Sequence, residues 1–280
     1  MDKAPLEEMF YRLQQRSTKW TSYFPVYQEL LAPFAGKPVT IVEVGVLNGG
    51  SLFLWRELFG PDARIIGVDA APGARRLEAD GFEIYIGDQA SPEFWAAFFG
   101  KVGDVDILID DGGHTNKQQI VTLAAALDHI RDGGLLITED THTSYMAHFA
   151  NPSRFSFMNF AYHVADSIQA RNPFVPRGKG NAFAAAVYAV QIFESIVCLR
   201  IDRRRCEPAR MVVAGERHIG AVDQRHAAHW EPENATLDRL AARLPGEPLR
   251  KLARRLLATF RGRVLRTQLA LENLSLKSHF

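Results

Sequence analysis

From residue 39 to residue 140, short runs of β-branched and aliphatic residues alternate with longer stretches of helical character, the pattern of a parallel sheet built from right-handed βαβ units. The runs predict strands over Val39–Gly45, Arg64–Asp69, Phe82–Asp88, Val105–Asp111 and Leu135–Asp140, joined by helices over about 50–59, 73–80, 92–100 and 115–131. Ile107-Leu108-Ile109 and Leu135-Leu136-Ile137 are apolar at every position, as in strands covered on both faces. Asp132-Gly133-Gly134 reads as a glycine stop for the last helix.

The alternation breaks over 142–185, where aromatics, Asn151-Pro152, Asn172-Pro173 and Gly178-Lys179-Gly180 predict an insertion or lid. Ala186–Phe193 and Ile196–Asp202, separated by Glu194-Ser195, then read as a β-hairpin that closes the sheet. The expected organisation is an N-terminal helical segment (1–36), a sheet domain (37–202), an irregular Arg-rich linker (203–235) and a basic tail (236–280). In the tail, Leu249, Leu252, Leu256, Phe260 and Val264 recur at helical spacing among Arg and Lys, an amphipathic helix with an expected break near Gly262. Its stripe needs a burial partner: its own domain, a second copy of the chain, or an anionic membrane surface. A homo-oligomer is favoured over membrane contact.

Composition narrows the class. A chain of 280 residues with 47% hydrophobic and 23% charged residues is globular rather than disordered or fibrous. With 33 Lys plus Arg against 32 Asp plus Glu, it has no global field for nucleic acid, and none is expected as a partner. Cys198 and Cys206 are too few for a disulfide scaffold and lack a zinc spacing, which fits a reducing cytoplasm. Charges and Pro5 stand where a signal peptide needs an apolar core, so the expectation is a cytoplasmic protein.

In an open parallel sheet, ligands bind beyond the carboxyl ends of the strands, where the chain order reverses. The first strand runs into Glu43-Val44-Gly45-Val46-Leu47-Asn48-Gly49-Gly50-Ser51, whose glycines allow close backbone approach and whose Ser51 can cap a helix. Leu47 occupies the second glycine position of a dinucleotide fingerprint, so NAD and FAD are poor candidates. The fourth and fifth strands end in Asp110-Asp111-Gly112-Gly113-His114 and Glu139-Asp140-Thr141-His142. As neighbours they bring Asp111, Glu139 and Asp140 to one point, and three carboxylates together call for a hard cation such as Mg²⁺ or Mn²⁺. The plainer alternative is that they cap turns. His114, three residues beyond a proposed ligand, stands where a neutral imidazole can serve as a base near pH 7.

The E-x-G-x-x-x-G pattern of Glu43, Gly45 and Gly49 resembles motif I of the class I S-adenosylmethionine-dependent methyltransferases. The resemblance implies an α/β Rossmann-like fold, a seven-stranded, mostly parallel sheet with a C-terminal β-hairpin. It also implies a cofactor set of Glu43, Gly45, Asn48, Gly49, Ser51, Asp69, Asp88 and Asp110. Asp69 would take the ribose diol, Asp88 the adenine amino group, and Glu43 would face the methionine ammonium. The block D-D-G-G-H followed by E-D-T-H-T-S-Y is similar to the metal-dependent bacterial sugar O-methyltransferases, of the macrolide deoxysugar and rhamnosyl type, over about Ser17–Asp202. That similarity implies Asp111, Glu139 and Asp140 as Mg²⁺ ligands, His114 as general base, and His142 and Tyr145 beside a small-molecule or glycan acceptor. A metal-dependent enzyme for a catechol-like phenol is the alternative, and a non-catalytic cofactor-binding partner protein a further one. The tail lies outside the resemblance.

Overall fold

The apolar runs form seven strands, β1 (Thr40–Val44), β2 (Arg64–Asp69), β3 (Glu83–Ile86), β4 (Val105–Asp110), β5 (Ile130–Thr138), β6 (Val187–Phe193) and β7 (Ile196–Ile201). The helices are α1 (Leu6–Tyr11), α2 (Tyr23–Leu31), α3 (Gly50–Phe59), α4 (Pro92–Val102), α5 (Asn116–Ala126), α6 (Phe157–Gln169), α7 (Ala182–Ala186) and α8 (Glu247–Leu274). This computed structural model describes residues 6–173, 175, 182–215, 239, 241–274 and 276. It divides into two units, Met1–Met211 and Val212–Phe280.

In the first unit the sheet order is β3-β2-β1-β4-β5-β7-β6. The first five strands are parallel, β7 runs antiparallel to β5, and β6 pairs antiparallel with β7. Chain order therefore reverses between β1 and β4. Val44 pairs with Asp110, and Asp110 pairs with Thr138, so the turns leaving β1, β4 and β5 lie side by side.

Side-chain alternation splits the core into two layers. Ile41, Ile65, Ile107, Ile109 and Ile137 face one cluster with Leu30, Leu31, Trp55 and Phe59 of α2 and α3. Val42, Ile66, Leu108 and Leu136 face the other, with Trp95, Phe98, Leu123 and Phe157 of α4, α5 and α6. Helix starts follow local chemistry: Ser91 caps α4 by accepting the Phe94 N–H, and Thr115 with Gln118 forms a capping box on α5.

Several boundaries differ from the pattern reading. The helix expected over 115–131 ends at Ala126, and Asp132-Gly133-Gly134 lies inside β5. The register explains this: Val105 pairs with Ile130 but Ile107 with Leu135, so residues 131–134 bulge opposite Asp106. Gly133 takes φ +91°, and a Cβ on Gly134 would lie 2.4 Å from the Asp106 carbonyl oxygen. The expected helix over 73–80 is a 3₁₀ helix, Pro72–Asp80. The stretch 142–185, expected as a lid, contributes α6 to the core, with Phe157, Met158, Ala161 and Val164 buried in the second layer. Proline and asparagine on either side of α6 punctuate the sequence without interrupting this layer. Of the expected linker, 216–235 lies outside the described residues.

In the second unit, α8 runs unbroken past Gly262 and exposes Leu249, Leu252, Leu256 and Phe260. Among the described residues, no helix is long and apolar enough to cross a membrane.

If both glycines serve the bulge, Gly133→Ala should cost about 1–2 kcal/mol, the penalty for left-handed backbone at alanine. Gly134→Ala should cost more, because its methyl must displace backbone. Urea midpoints rank the pair, and the opposite order would remove the bulge as the reason for Gly134.

Candidate active site

The turn after β1 is shaped by what must pass it. A Cβ on Gly45 (φ +88°) would lie 2.0 Å from the Asp111 carbonyl oxygen, so glycine alone lets the β1 turn cross the β4 turn. Asp69 holds the turn open: Oδ2 accepts the Val46 and Leu47 N–H groups at 2.9 and 3.0 Å, and Oδ1 accepts Ala71 N–H at 2.8 Å. A cavity of about 410 Å³ results, walled by the β1 turn, Asp69, Gly87–Gln89, Asp111–His114 and, from the N-terminal segment, Arg16–Thr18. That is the size of a small-ligand site.

Of the residues expected at the cofactor, Gly45, Asn48, Ser51, Asp69 and Asp88 line the cavity. Gly49 lies behind it against Leu77, at 2.7 Å from where its Cβ would be. Glu43 and Asp110 are sealed beneath, on opposite faces of the sheet. Glu43 accepts from Trp55 Nε1 at 3.1 Å while its Oε1 is buried without a hydrogen-bond partner. Burial pushes its carboxyl up to about 7 against the pull of Lys19. Asp110 Oδ1 accepts from Gln89 Nε2 at 2.9 Å and Gly112 N–H at 3.2 Å, while Oδ2 has no partner. Burial raises it to about 6. Gln89, which the sequence reading passed over, ties the two turns together by also accepting Gly113 N–H at 2.8 Å.

The acid cluster contains a second omission. The Lys19 side chain, 3% exposed, donates to Asp111 Oδ2 at 2.5 Å and to Glu139 Oε1 at 2.6 Å. Burial alone would lower its pKa, but Glu139, Asp111 and Glu43 outweigh that and hold the ammonium above its ordinary range. Glu139 is raised by burial against the pull of Lys19. From α2, the Tyr27 hydroxyl donates to Glu139 Oε1, and the Tyr23 hydroxyl donates to Asp140 Oδ1 at 2.5 Å and accepts the Asp140 N–H at 3.2 Å. Burial and these carboxylates raise both phenols. The four-residue spacing of the tyrosines puts both on one helix face, a signal present in the sequence. Lys19 carried only a loose one, in Ser17-Thr18-Lys19-Trp20 at the N-terminal edge of the resemblance, and lysine is ordinarily a surface residue.

The carboxylates expected to meet do so in two subsets. Donor atoms of Asp111, His114 and Asp140 lie within 4.8 Å of one another, whereas Glu139 is engaged by Lys19 and Tyr27. His114 Nε2 is 3.4 Å from Asp140 Oδ2, and its Nδ1 is buried without a partner. His114 (φ +58°) and Asp140 (φ +53°) both take left-handed backbone, strain concentrated where the donors converge. His142 Nδ1 lies 3.0 Å from Ser195 Oγ, with its ring edge-to-face with Trp20. Tyr145, 61% exposed, lies outside the cavity lining.

Two carboxylates and an imidazole with an unpartnered buried nitrogen fit a divalent cation, and the two carboxylates suit a hard one. The cavity, with acidic residues at consecutive strand ends, fits a nucleoside.

No family model matches the chain. It is 32% identical over 146 residues to the 8-demethyl-8-alpha-L-rhamnosyl tetracenomycin-C 2'-O-methyltransferase of Streptomyces olivaceus, over 49% of this chain and 38% of that one. It is 30% identical over 162 residues to the L-olivosyl-oleandolide 3-O-methyltransferase of Streptomyces antibioticus, over 54% of this chain and 41% of that one. The matches thus span about two fifths of these relatives' length. Among solved structures it resembles the MycE methyltransferase of the mycinamycin pathway in complex with Mg and SAH, with TM-score 0.65 and 26% identity, over 72% of this chain and 55% of that one. The fold is the class I methyltransferase fold.

Glu43 generates a pH test. A carboxyl raised from 4.5 to about 7 contributes stability that is full below pH 4.5 and lost as pH rises through 7. Asp110 and Glu139 are raised as well, so urea midpoints at pH 5 and pH 8 should show a loss in both chains, smaller by up to about 3 kcal/mol in Glu43→Gln than in the parent chain. Equal pH slopes would show that Glu43 carries no such penalty.

Proposed function

We propose that this chain is an S-adenosylmethionine-dependent O-methyltransferase acting on a sugar hydroxyl of a glycosylated natural product or polysaccharide, with Mg²⁺ or Mn²⁺ at the acid cluster. The observation that carries the reading is the placement of Asp111, His114 and Asp140 at one end of the nucleoside-sized cavity beside the β1 and β4 turns. The printed activities of the relatives, methylation of rhamnosyl and olivosyl compounds, support the acceptor class.

In this reading the cofactor supplies an electrophilic methyl group, and the ion supplies positive charge that acidifies an acceptor hydroxyl. Beyond the three N–H groups that the carboxylate accepts, Asp69 Oδ1 retains one lone pair for a ribose hydroxyl, and Asp88 stands at the next strand end for the adenine amino group. Glu43 lies beneath the β1 turn, on the side expected for the methionine ammonium. Asp111 and Asp140 would hold the ion by oxygen, with Glu139 behind them, and the His114 imidazole beside them would take the hydroxyl proton rather than serve as a third ligand. His142 and Tyr145 bound the acceptor side.

Calorimetry should show S-adenosylmethionine and its demethylated product binding, both tighter than NAD. Asp69→Ala should weaken that binding about 10- to 100-fold, the loss of a charge-assisted hydrogen bond. With labelled cofactor and rhamnosides, EDTA should abolish turnover, and His114→Ala should lower kcat about 100- to 10,000-fold with cofactor affinity retained. Undiminished turnover in EDTA, or tighter binding of NAD, would overturn the reading.

A further inference from the structure

We propose that Lys19 is the resident counter-cation of the acid cluster, and that a divalent ion reaches Asp111 only by competing with this ammonium. The inference rests on the metal reading above and goes beyond it, because it assigns the setting of ion affinity to a residue outside the donor set.

The argument begins with burial. An unpaired carboxylate withdrawn from water is costly, and the nearby Asp111 adds to that cost for both Glu43 and Glu139. Lys19 offsets this from within the chain. Its ammonium bridges Asp111 and Glu139, with the side chain almost wholly buried. The cluster can therefore fold and persist without an ion. The same carboxylate, Asp111, also belongs to the donor set that fits a divalent cation. Ammonium and ion are thus both attracted to Asp111 and repel each other across it.

Lys19 cannot simply swing away. Ser17 and the Arg16 carbonyl press on Gly50 so closely that a Cβ there would lie 2.7 and 2.8 Å from them. On the other side, Trp20 meets the edge of His142. The segment is anchored at both ends of the lysine, so the positive charge stays near the ion. Lys19 is a positioning residue: it keeps Asp111 and Glu139 in place, and the price is weaker ion binding.

Mn²⁺ titrations read by the paramagnetic signal of the free ion, on the full chain, test this. Lys19→Met should bind Mn²⁺ roughly tenfold tighter or more, the relief of a repulsion within a few ångströms at a partly buried site. In EDTA it should melt below the parent chain, and saturating Mn²⁺ should close the gap. If Lys19→Met does not fold without an ion, Lys19→Gln provides the same comparison, and recovery of either variant on adding Mn²⁺ supports the proposal. Mn²⁺ binding to the parent chain with no gain in either variant, or failure of Mn²⁺ to restore them, overturns it and leaves the metal reading standing. No Mn²⁺ binding to any chain, with the demethylated cofactor still bound, overturns the metal reading and this inference with it.

Discussion

Carboxylates buried at the carboxyl edge of a parallel sheet must be offset, and much of this site's architecture answers that requirement. Glu43, Asp110 and Glu139 are nearly inaccessible, at or just past the ends of three adjacent strands. Each has its own compensation: the Trp55 indole for Glu43, Gln89 and a turn N–H for Asp110, Lys19 and Tyr27 for Glu139. For Glu43 and Asp110 the compensation is incomplete: Glu43 Oε1 and Asp110 Oδ2 are left without a hydrogen-bond partner.

The sheet distributes these charges by parity. Alternation sends Glu43 to the face covered by α2 and α3 and Asp110 to the face covered by α4, α5 and α6. Asp110 and Asp111 are neighbours in sequence but do different things. Asp110 is locked under the β3 and β4 turns through Gln89, while Asp111 reaches Lys19 and the donor group with His114 and Asp140. Close passage of the β1 and β4 turns, permitted by Gly45, puts the nucleoside-sized cavity directly beside that group.

The N-terminal segment completes what the sheet begins. Arg16–Thr18 wall the cavity, Lys19 enters the acid cluster, Trp20 touches His142, and Tyr23 and Tyr27 hold Asp140 and Glu139. A stretch that reads as an ordinary helical preface therefore touches the cavity and the acid cluster and reaches His142. Strain at His114 and Asp140 is sustained by the same surroundings, including the Tyr23 hydroxyl on the Asp140 backbone.

Local pattern sufficed for the sheet. Its strands, their parallel order and the closing hairpin were legible because buried parallel strands are written as uninterrupted aliphatic runs and their turns as glycine and aspartate. The glycine turn and the acidic strand ends were legible for the same reason, since each is a short contiguous string. Other features depend on distance in sequence. The bulge that absorbs Gly133 and Gly134 is a matter of register against Asp106, and the core role of α6 depends on which face of the sheet it covers. The pairing of Lys19 with Asp111 and Glu139 spans 92 and 120 residues. A charge that will be buried looks, in sequence, like one that will be solvated, because burial belongs to the packed chain and not to the residue. The amino-acid string thus determined the sheet and the chemistry at its edge; only the tertiary fold decided which carboxylates face a lysine and which face an open site.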